Sequence, residues 1–200
     1  MVSIDGTLRA GDLGAIVEQH GRLYRTEYQL DERFEAYVAA EIAAAVGVRA
    51  GAGVGAVAGR GEGDRADAPT RFWLVRERNR FMGSAAVCSA GDGLGQFRWF
   101  LLDPAIRSQG IGRQLLNLAL EHSRAVGYRA LFLWTFDALV TAARLYQSAG
   151  FVETQRLPEA SPWGVPVTEV RYDLAAPFPV RTATAPSVKP LNTRQFFRRF

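Results

Sequence analysis

The sequence is poor in the residues that form disulfides and metal sites. It has one cysteine, Cys88, and two histidines among 200 residues, and none occurs at a zinc-binding spacing. One cysteine cannot form an intramolecular disulfide, so a reducing cytoplasm is the default environment. No stretch approaches the roughly 18 apolar residues of a membrane span. The N-terminal "MVSIDGTLRAGDLG" also lacks the basic and apolar regions of a signal peptide. We therefore expect a cytoplasmic protein without a metal or a membrane partner.

Acidic residues are absent from the C-terminal end of the chain. Residues 177–200 contain five basic residues and no acidic one, and the whole chain carries +4, which leaves −1 for residues 1–176. The main part of the chain is therefore not basic, and nucleic acid is not an expected partner. Short basic tails are typically solvated and disordered. The pattern predicts one domain over residues 1–176 and a disordered basic tail over residues 177–200.

Residues 49–70 lack the apolar spacing of a helix or a strand. This stretch, "RAGAGVGAVAGRGEGDRADAPT", is rich in Gly and Ala and predicts a flexible insertion. Its "GVGAVA" formally matches the G-x-G-x-x-A of dinucleotide-binding folds. The strand and helix that must flank such a turn are missing, so we set that interpretation aside.

The rest of the chain alternates between helical and strand-like spacing. Overall it is 48% hydrophobic and 22% charged, enough for one sizeable core. The pattern predicts a single mixed α/β domain with the order β-α-α-β-β-β-α-β-α-β-β. The predicted strands cover 2–10, 71–79, 80–90, 96–102, 128–136, 151–157 and 165–174, and the two later helices cover 109–126 and 138–149, with the first two helices between residues 12 and 46.

Two glycines open the helix predicted after residue 109, within "RSQGIG". Glycine destabilises a helix, and Ser or Asp would cap it better. A helix N-terminus offers unpaired N–H groups and a partial positive charge, so an anion can replace the cap if no Cβ blocks its approach. Gly110 and Gly112 would provide that access, with Arg107 and Arg113 on either side. The pattern predicts a phosphate-binding loop, and a plain flexible turn is the alternative.

Two ordered motifs resemble those of a known family. "AIRSQGIGRQLL" is similar to the R/Q-x-x-G-x-G/A signature of the Gcn5-related N-acetyltransferases (the GNAT superfamily), and "AARLYQSAGF" resembles the family's A-x-x-L-Y-x-x-x-G-F. The similarity covers about residues 2–174. It implies the GNAT fold, with a mostly antiparallel central sheet flanked by helices. The segment "EQHGRLYRTEYQLDERFEAYV" further resembles acetyltransferase halves that are fused to winged-helix regulators.

The resemblance also implies how acetyl-CoA, as co-substrate, would bind. In the family, the strand before the signature splays from its neighbour, and the pantetheine arm pairs with the exposed edge. That edge corresponds here to Phe100, Leu101 and Leu102, and the Leu102 N–H would polarise the thioester carbonyl. The pyrophosphate would lie on the loop formed by Arg107, Ser108, Gln109, Gly110, Ile111, Gly112 and Arg113.

The resemblance assigns Tyr146 as the acid that protonates the leaving thiolate. The alternative is an amphipathic anchor in its helix. Two positions depart from the family. Leu139 replaces an asparagine that holds the pantetheine, for which Thr135 or Asp137 could substitute, and Trp134 replaces a glutamate base. The general base is left open among Glu27, Asp31, Glu32, Glu35, His20 and water, although Asp31 is also typical of an N-cap and His20 of a packed helix face.

These observations predict an N-acetyltransferase that moves an acetyl group to a primary amine of a small molecule or a peptide or protein, by direct attack in a ternary complex. A catalytically silent acyl-CoA-binding sensor is the alternative. Four aromatic residues could line the acceptor pocket, namely Tyr24, Tyr28, Phe34 and Trp163. The acceptor and the acyl chain length are left open, and the resemblance allows a homodimer.

Overall fold

The structure is a computed structural model that describes residues 1–47 and 68–178. Its elements, in chain order, are β1 (Val2–Asp5), α1 (Asp12–Tyr28), α2 (Glu32–Ala45), β2 (Arg71–Glu77), β3 (Arg80–Ser89), β4 (Leu94–Leu102), α3 (Ile111–Val126), β5 (Ala130–Phe136), α4 (Val140–Ser148), β6 (Val152–Arg156) and β7 (Glu169–Ala175). This order is the predicted one. The predicted insertion and tail lie outside the described residues, except for residues 68–70 and 177–178.

One seven-stranded sheet organises the domain, with the strand order β1-β2-β3-β4-β5-β7-β6. The pairing of β4 with β5 is parallel, and every other neighbouring pair is antiparallel. A parallel pair needs a long crossover, which α3 provides between these two strands. The predicted mixed, mostly antiparallel α/β sheet flanked by helices is confirmed.

Helices cover both faces of the sheet, and each face has its own apolar cluster. On one face, Leu115, Leu116 and Ala119 of α3 are almost completely buried and pack with Tyr146 of α4. On the other face, α1 and α2 bury a second cluster that contains Ile16. Burial on both faces explains the apolar run of β2, in which residues 72–75 are all buried.

The β4 strand separates from β5 part of the way along its length. Their pairing covers only Leu94–Gln96 of β4, so residues 97–102 have no partner on β5. One extra residue in β4 disrupts the ladder with β3, and Trp99 takes a left-handed φ of 47° there. The Ser84 hydroxyl donates a 2.7 Å hydrogen bond to the Trp99 carbonyl and holds this bulge. The result is a gap in the middle of the sheet.

Several local predictions have a structural outcome. Asp31 caps α2, because its carboxylate accepts from the Arg33 N–H at 3.0 Å. Gly150, one residue after the C-cap of α4, has φ +97°, and the Phe151 N–H donates to the Tyr146 carbonyl, a geometry typical of a glycine-closed helix. Phe178 is buried in the core, so the packed chain runs two residues beyond the boundary predicted at 176. No helix within the described ranges has the length and apolarity needed to span a membrane.

Candidate active site

A cavity of about 1170 Å³ fills the gap between β4 and β5. Its walls come from the splayed half of β4, the end of β5, the first turn of α3, and α4. Towards the other face of the sheet it continues beneath α1, α2 and the chain before β7. The volume exceeds the roughly 300–1,000 Å³ of typical small-molecule sites, and two ligands can meet in a cavity of this size.

The first turn of α3 is open to this cavity. Gly110 occupies the N-cap position with φ +78° and makes no side-chain cap bond. A Cβ at Gly110 would meet nothing within 4 Å, whereas a Cβ at Gly112 would lie 3.1 Å from Cζ of Phe100. The backbone conformation thus favours glycine at position 110, and a side chain at position 112 would press on the Phe100 ring at the cavity wall. Both glycines and Ser108 line the cavity, and the predicted loop therefore faces it.

The Arg107 side chain is fixed by contacts with Glu27 and with the Leu102 carbonyl. Its guanidinium makes a bidentate ion pair with Glu27 of α1, at 2.7 and 2.8 Å, and its Nε–H donates to the Leu102 carbonyl at 2.9 Å. The hydrogen bonds to the Glu27 carboxylate raise the pKa of Arg107 above its ordinary value. The side chain therefore joins α1 to the end of β4. Arg113, the second flanking arginine, lines the cavity.

Two predicted loop residues direct their side chains elsewhere. The Gln109 amide donates to the Ala105 carbonyl at 3.1 Å, and Ile111 is buried in the core of the sheet. Neither side chain is part of the cavity wall. Any contact of these two residues with a ligand would come from their backbone N–H groups.

The edge of β4 presents polar backbone groups to the cavity. The Leu101 carbonyl lies against Gly83 of β3, so the Leu102 N–H of the same planar trans peptide points to the opposite edge. The neighbouring Asp103 N–H donates to the Met82 carbonyl on β3 at 2.7 Å, in keeping with this alternation. Phe100, Leu101 and Leu102, the predicted pantetheine edge, all line the cavity.

Tyr146 is packed into the core and also borders the cavity. It is 5% exposed, and its ring packs against Phe97 and Phe100, yet it also lines the cavity. Burial raises the pKa of Tyr146 well above its ordinary value, and the nearby Tyr24 raises it further. The hydroxyl is therefore protonated at neutral pH, which is the state that a proton donor needs.

The predicted base candidates fall into two groups. Asp31, Glu32 and Glu35 lie outside the cavity, while His20 and Glu27 line it. The His20 ring is buried, stacks on Tyr24 and lies 2.8 Å from the Ile16 carbonyl. Burial lowers the pKa of His20 from 6.5 to about 4, so the ring is neutral at pH 7. This matches a packed histidine.

The two positions that depart from the family both line the cavity. Leu139 is the N-cap residue of α4, and Trp134 lies on β5. Of the two proposed substitutes for the asparagine, Thr135 is buried and lines the cavity. Asp137 is exposed and pairs with Arg156 at 3.6 Å, away from the wall. Thr135 is therefore the better placed of the two.

Two carboxylates of the cavity wall were not among the predicted candidates. Glu41 of α2 is paired with Arg98 at 2.5 Å. Glu169, the first residue of β7, is half-buried, and burial raises the pKa of its carboxyl above the ordinary value. A sequence signal existed, because "EVRYDL" alternates and places Glu169 on the face opposite Val170, Tyr172 and Leu174. Only the fold reveals that this face lines a cavity.

Cys88 does not line the cavity. Cys88 is buried, and burial raises the pKa of its thiol, as expected of an inert cysteine. Across residues 1–47 and 68–178, no group of three or more His, Cys, Asp and Glu side chains could hold a metal ion.

Three comparisons place the chain among known proteins. A family model described as the acetyltransferase (GNAT) family matches residues 26–151. Mycothiol acetyltransferase of Geodermatophilus obscurus is 30% identical over 89 residues, which cover 42% of this chain and 29% of that protein. The chain spans between 29% and 55% of the lengths of the curated relatives that it matches.

Solved structures share the fold at low sequence identity. An acetyltransferase from Streptococcus agalactiae has a TM-score of 0.63 at 17% identity, covering 87% of this chain and 98% of that one. An acetyltransferase from Salmonella typhimurium, solved with its cofactor acetyl-CoA, has a TM-score of 0.59 at 16% identity, covering 88% and 94%. With the family model matching more than half of the residues, the chain belongs to the acetyltransferase (GNAT) family.

Proposed function

We propose that this protein is an N-acetyltransferase that moves the acetyl group of acetyl-CoA to a primary amine of a small molecule or a peptide. One observation carries the proposal. The free edge of β4, the glycine-opened N-terminus of α3 and the protonated Tyr146 all border one cavity. These are an extended hydrogen-bonding edge, an anion site and a proton donor, which are the three groups that a pantetheine diphosphate thioester needs.

The donor would be held mainly by backbone atoms. The N–H groups from Ser108 through Arg113 would bind the pyrophosphate, favoured by the positive end of the α3 dipole. The free edge of residues 97–102 would bind the pantetheine arm in the manner of an added strand. Gly112 would keep the wall beside Phe100 thin enough for the arm to pass.

Two groups of the chain would act in the transfer itself. The Leu102 N–H would stabilise the negative charge that develops on the carbonyl oxygen. As the neutral amine forms its C–N bond to the acetyl carbon and the C–S bond breaks, the Tyr146 hydroxyl would donate a proton to the sulfur. The proton that leaves the nitrogen would return to Tyr146 through solvent. The products are an amide and the CoA thiol, and the two substrates react in one ternary complex.

The test is thiol release from acetyl-CoA over a panel of amines, with the acetylated product identified by its mass. Tyr146→Phe should reduce kcat by about 100-fold or more while acetyl-CoA affinity stays the same, because only proton transfer is removed. Tyr128→Phe is the matched control, since Tyr128 is a core tyrosine outside the cavity. If the protein binds acetyl-CoA but acetylates no amine, it is an acyl-CoA-binding sensor and the proposed activity is wrong.

A further inference from the structure

Six aromatic rings form one contiguous surface at the end of the cavity beneath α1 and α2. We call this surface the aromatic wall, and it consists of Tyr24, Tyr28, Phe34, Tyr37, Phe136 and Trp163. Ring centroids lie 4.5 Å apart for Tyr24 and Phe34, 5.4 Å for Phe34 and Trp163, and 5.3 Å for Phe136 and Trp163. The rings come from α1, α2, β5 and the segment between β6 and β7. Such a surface favours flat apolar groups and cations.

The segment that carries Trp163 is tied down over this end of the cavity. The Asp31 N–H, in the link between α1 and α2, donates to the Trp163 carbonyl at 3.0 Å. The next residue, Gly164, has φ +87°, and a Cβ there would lie 2.6 Å from the Asp31 carboxylate. The close approach of these two segments bounds the aromatic wall on that side. This boundary favours a compact ligand over an extended chain.

Three carboxylates line the cavity, and two of them are already neutralised. Glu27 is paired with Arg107, and Glu41 is paired with Arg98. The Glu169 carboxylate has neither a hydrogen bond nor an ion pair from any residue in the ranges 1–47 and 68–178. Partial burial disfavours the ionised form of this carboxylate, and a bound cation would offset that effect.

The groups that face Glu169 leave this position open to a ligand. From α2, the Tyr37 hydroxyl interacts electrostatically with Glu169. On β5, the residue paired with Glu169 is Phe136 of the aromatic wall. On β7 itself, Arg171 is held by Asp173 at 2.8 Å and lies over the Phe132 ring. On β6, Arg156 pairs with Glu153 and Asp137. Each of these two arginines therefore has its own acidic partner.

We propose that the acceptor is a small primary amine on a flat apolar body, of the arylalkylamine class, with its ring against the aromatic wall and its ammonium on Glu169. This inference rests on the proposed acetyl transfer and names its substrate class. It fits the ring surface of the aromatic wall and the Glu169 carboxylate, which has no partner among the described residues. A polyamine has no flat apolar group to cover the rings.

Glu169 also has the chemistry to prepare the amine. The carboxylate accepts one proton from the bound ammonium, which leaves a neutral nitrogen with a lone pair for attack, and the carboxyl then returns the proton to solvent. No oxidant or further reactant is needed. Burial raises the pKa of Glu169, which makes its carboxylate a stronger base than an exposed glutamate.

The first experiment compares four amines in thiol release, namely 2-phenylethylamine, n-butylamine, spermidine and an alanine-terminated tetrapeptide. We expect kcat/KM for 2-phenylethylamine to exceed each of the others by about tenfold or more, the effect of covering one ring's worth of apolar surface. A preference for spermidine or for the peptide would overturn the inference and leave the acetyl transfer intact.

The second experiment tests Glu169 directly. Glu169→Gln should lower kcat/KM for 2-phenylethylamine by about 100-fold and remove the acidic limb of its pH profile, and Glu169→Asp should restore part of both. Glu77→Gln is the matched control, a carboxylate at the end of β2 outside the cavity. An unchanged pH profile in Glu169→Gln would overturn the role of this carboxylate.

A binding measurement separates this inference from the proposed transfer. Calorimetry with 2-phenylethylamine, with and without CoA, needs no turnover. Saturable binding that weakens in Glu169→Gln and is unchanged in Glu77→Gln supports the acceptor site even if no amine is acetylated. No heat of binding under either condition would overturn the inference, whatever the outcome for acetyl transfer.

Discussion

The two ends of the cavity are built from different parts of the polypeptide. The proposed donor end consists largely of backbone, namely the β4 edge at residues 97–102 and the first turn of α3. The proposed acceptor end consists of side chains, namely the aromatic wall and Glu169. Backbone offers every ligand of one chemical type the same hydrogen bonds, whereas side chains select shape and charge. A site built from backbone therefore suits a donor that many proteins share, and a site built from side chains suits one particular acceptor.

The largest expected effect comes from adding a side chain to the donor end. Gly112→Val would place atoms 3.1 Å or less from Phe100 and into the path assigned to the pantetheine arm. We expect acetyl-CoA affinity to fall by about 1000-fold, from overpacking together with lost hydrogen bonds to the charged diphosphate. Calorimetry with CoA measures it.

Gly14→Val is the control for that substitution, because Gly14 lies in α1 with open space at its Cβ and outside the cavity. It should leave CoA affinity unchanged. If Gly112→Val binds CoA as tightly as the natural protein, the donor does not pass this wall, and the contrast between a backbone-built end and a side-chain-built end is lost.

The position of the proposed donor end was predictable from the sequence, because its backbone geometry favours glycine at fixed positions. A left-handed N-cap and a tightly packed first turn both favour glycine, so the structure leaves a fixed spacing at Gly110 and Gly112. The acceptor end leaves no such spacing. Glu169 and Phe136 are neighbours only because β7 pairs with β5, and Trp163 meets Phe34 only because its segment folds over α2. Long-range pairing of this kind has no local sequence signal.

Element types were predicted well, and their ends less so. The first strand, expected to reach residue 10, ends at Asp5, because the Arg9 N–H turns to donate to the Asp12 carboxylate. The last strand begins at Glu169 rather than at residue 165, since Val167 makes only an isolated bridge with Ala160. In both cases, hydrogen bonds outside the sheet take the place of the strand ladder that alternation predicts.

A second prediction concerns stability at the acceptor end. The pKa of buried His20 is lowered from 6.5 to about 4, so between these values the unfolded chain binds a proton that the folded chain excludes. Stability is therefore complete above pH 6.5 and falls as the pH drops towards 4, by about 3 kcal/mol in total. His20→Phe keeps a ring beside Tyr24 and should lose that dependence.

Urea unfolding of both proteins from pH 4 to pH 8 measures the difference. His122→Phe, outside the cavity and only half-buried, is the control and should keep most of the slope. Equal slopes for the natural protein and His20→Phe would mean that the His20 ring is hydrated, and the acceptor end would then be more open than the structure has it.

The smallest effect is expected where the two ends are joined. Arg107 connects Glu27 of α1 to the Leu102 carbonyl at the end of β4. The ion pair is partly exposed, so Glu27→Gln should lower the free energy of unfolding by about 1 kcal/mol or less. Arg107→Leu should cost more, because the Leu102 carbonyl also loses its partner.

The informative quantity is the coupling between the two substitutions. If this contact transmits acceptor binding to the donor edge, Glu27→Gln should raise the acceptor KM and weaken CoA binding together, by about twofold to fivefold, and Arg107→Leu should add little in the double variant. Additive effects would mean that each residue acts only within its own end. The cavity would then hold two independently built sites, and the Leu102 N–H would be positioned by the β4 bulge alone.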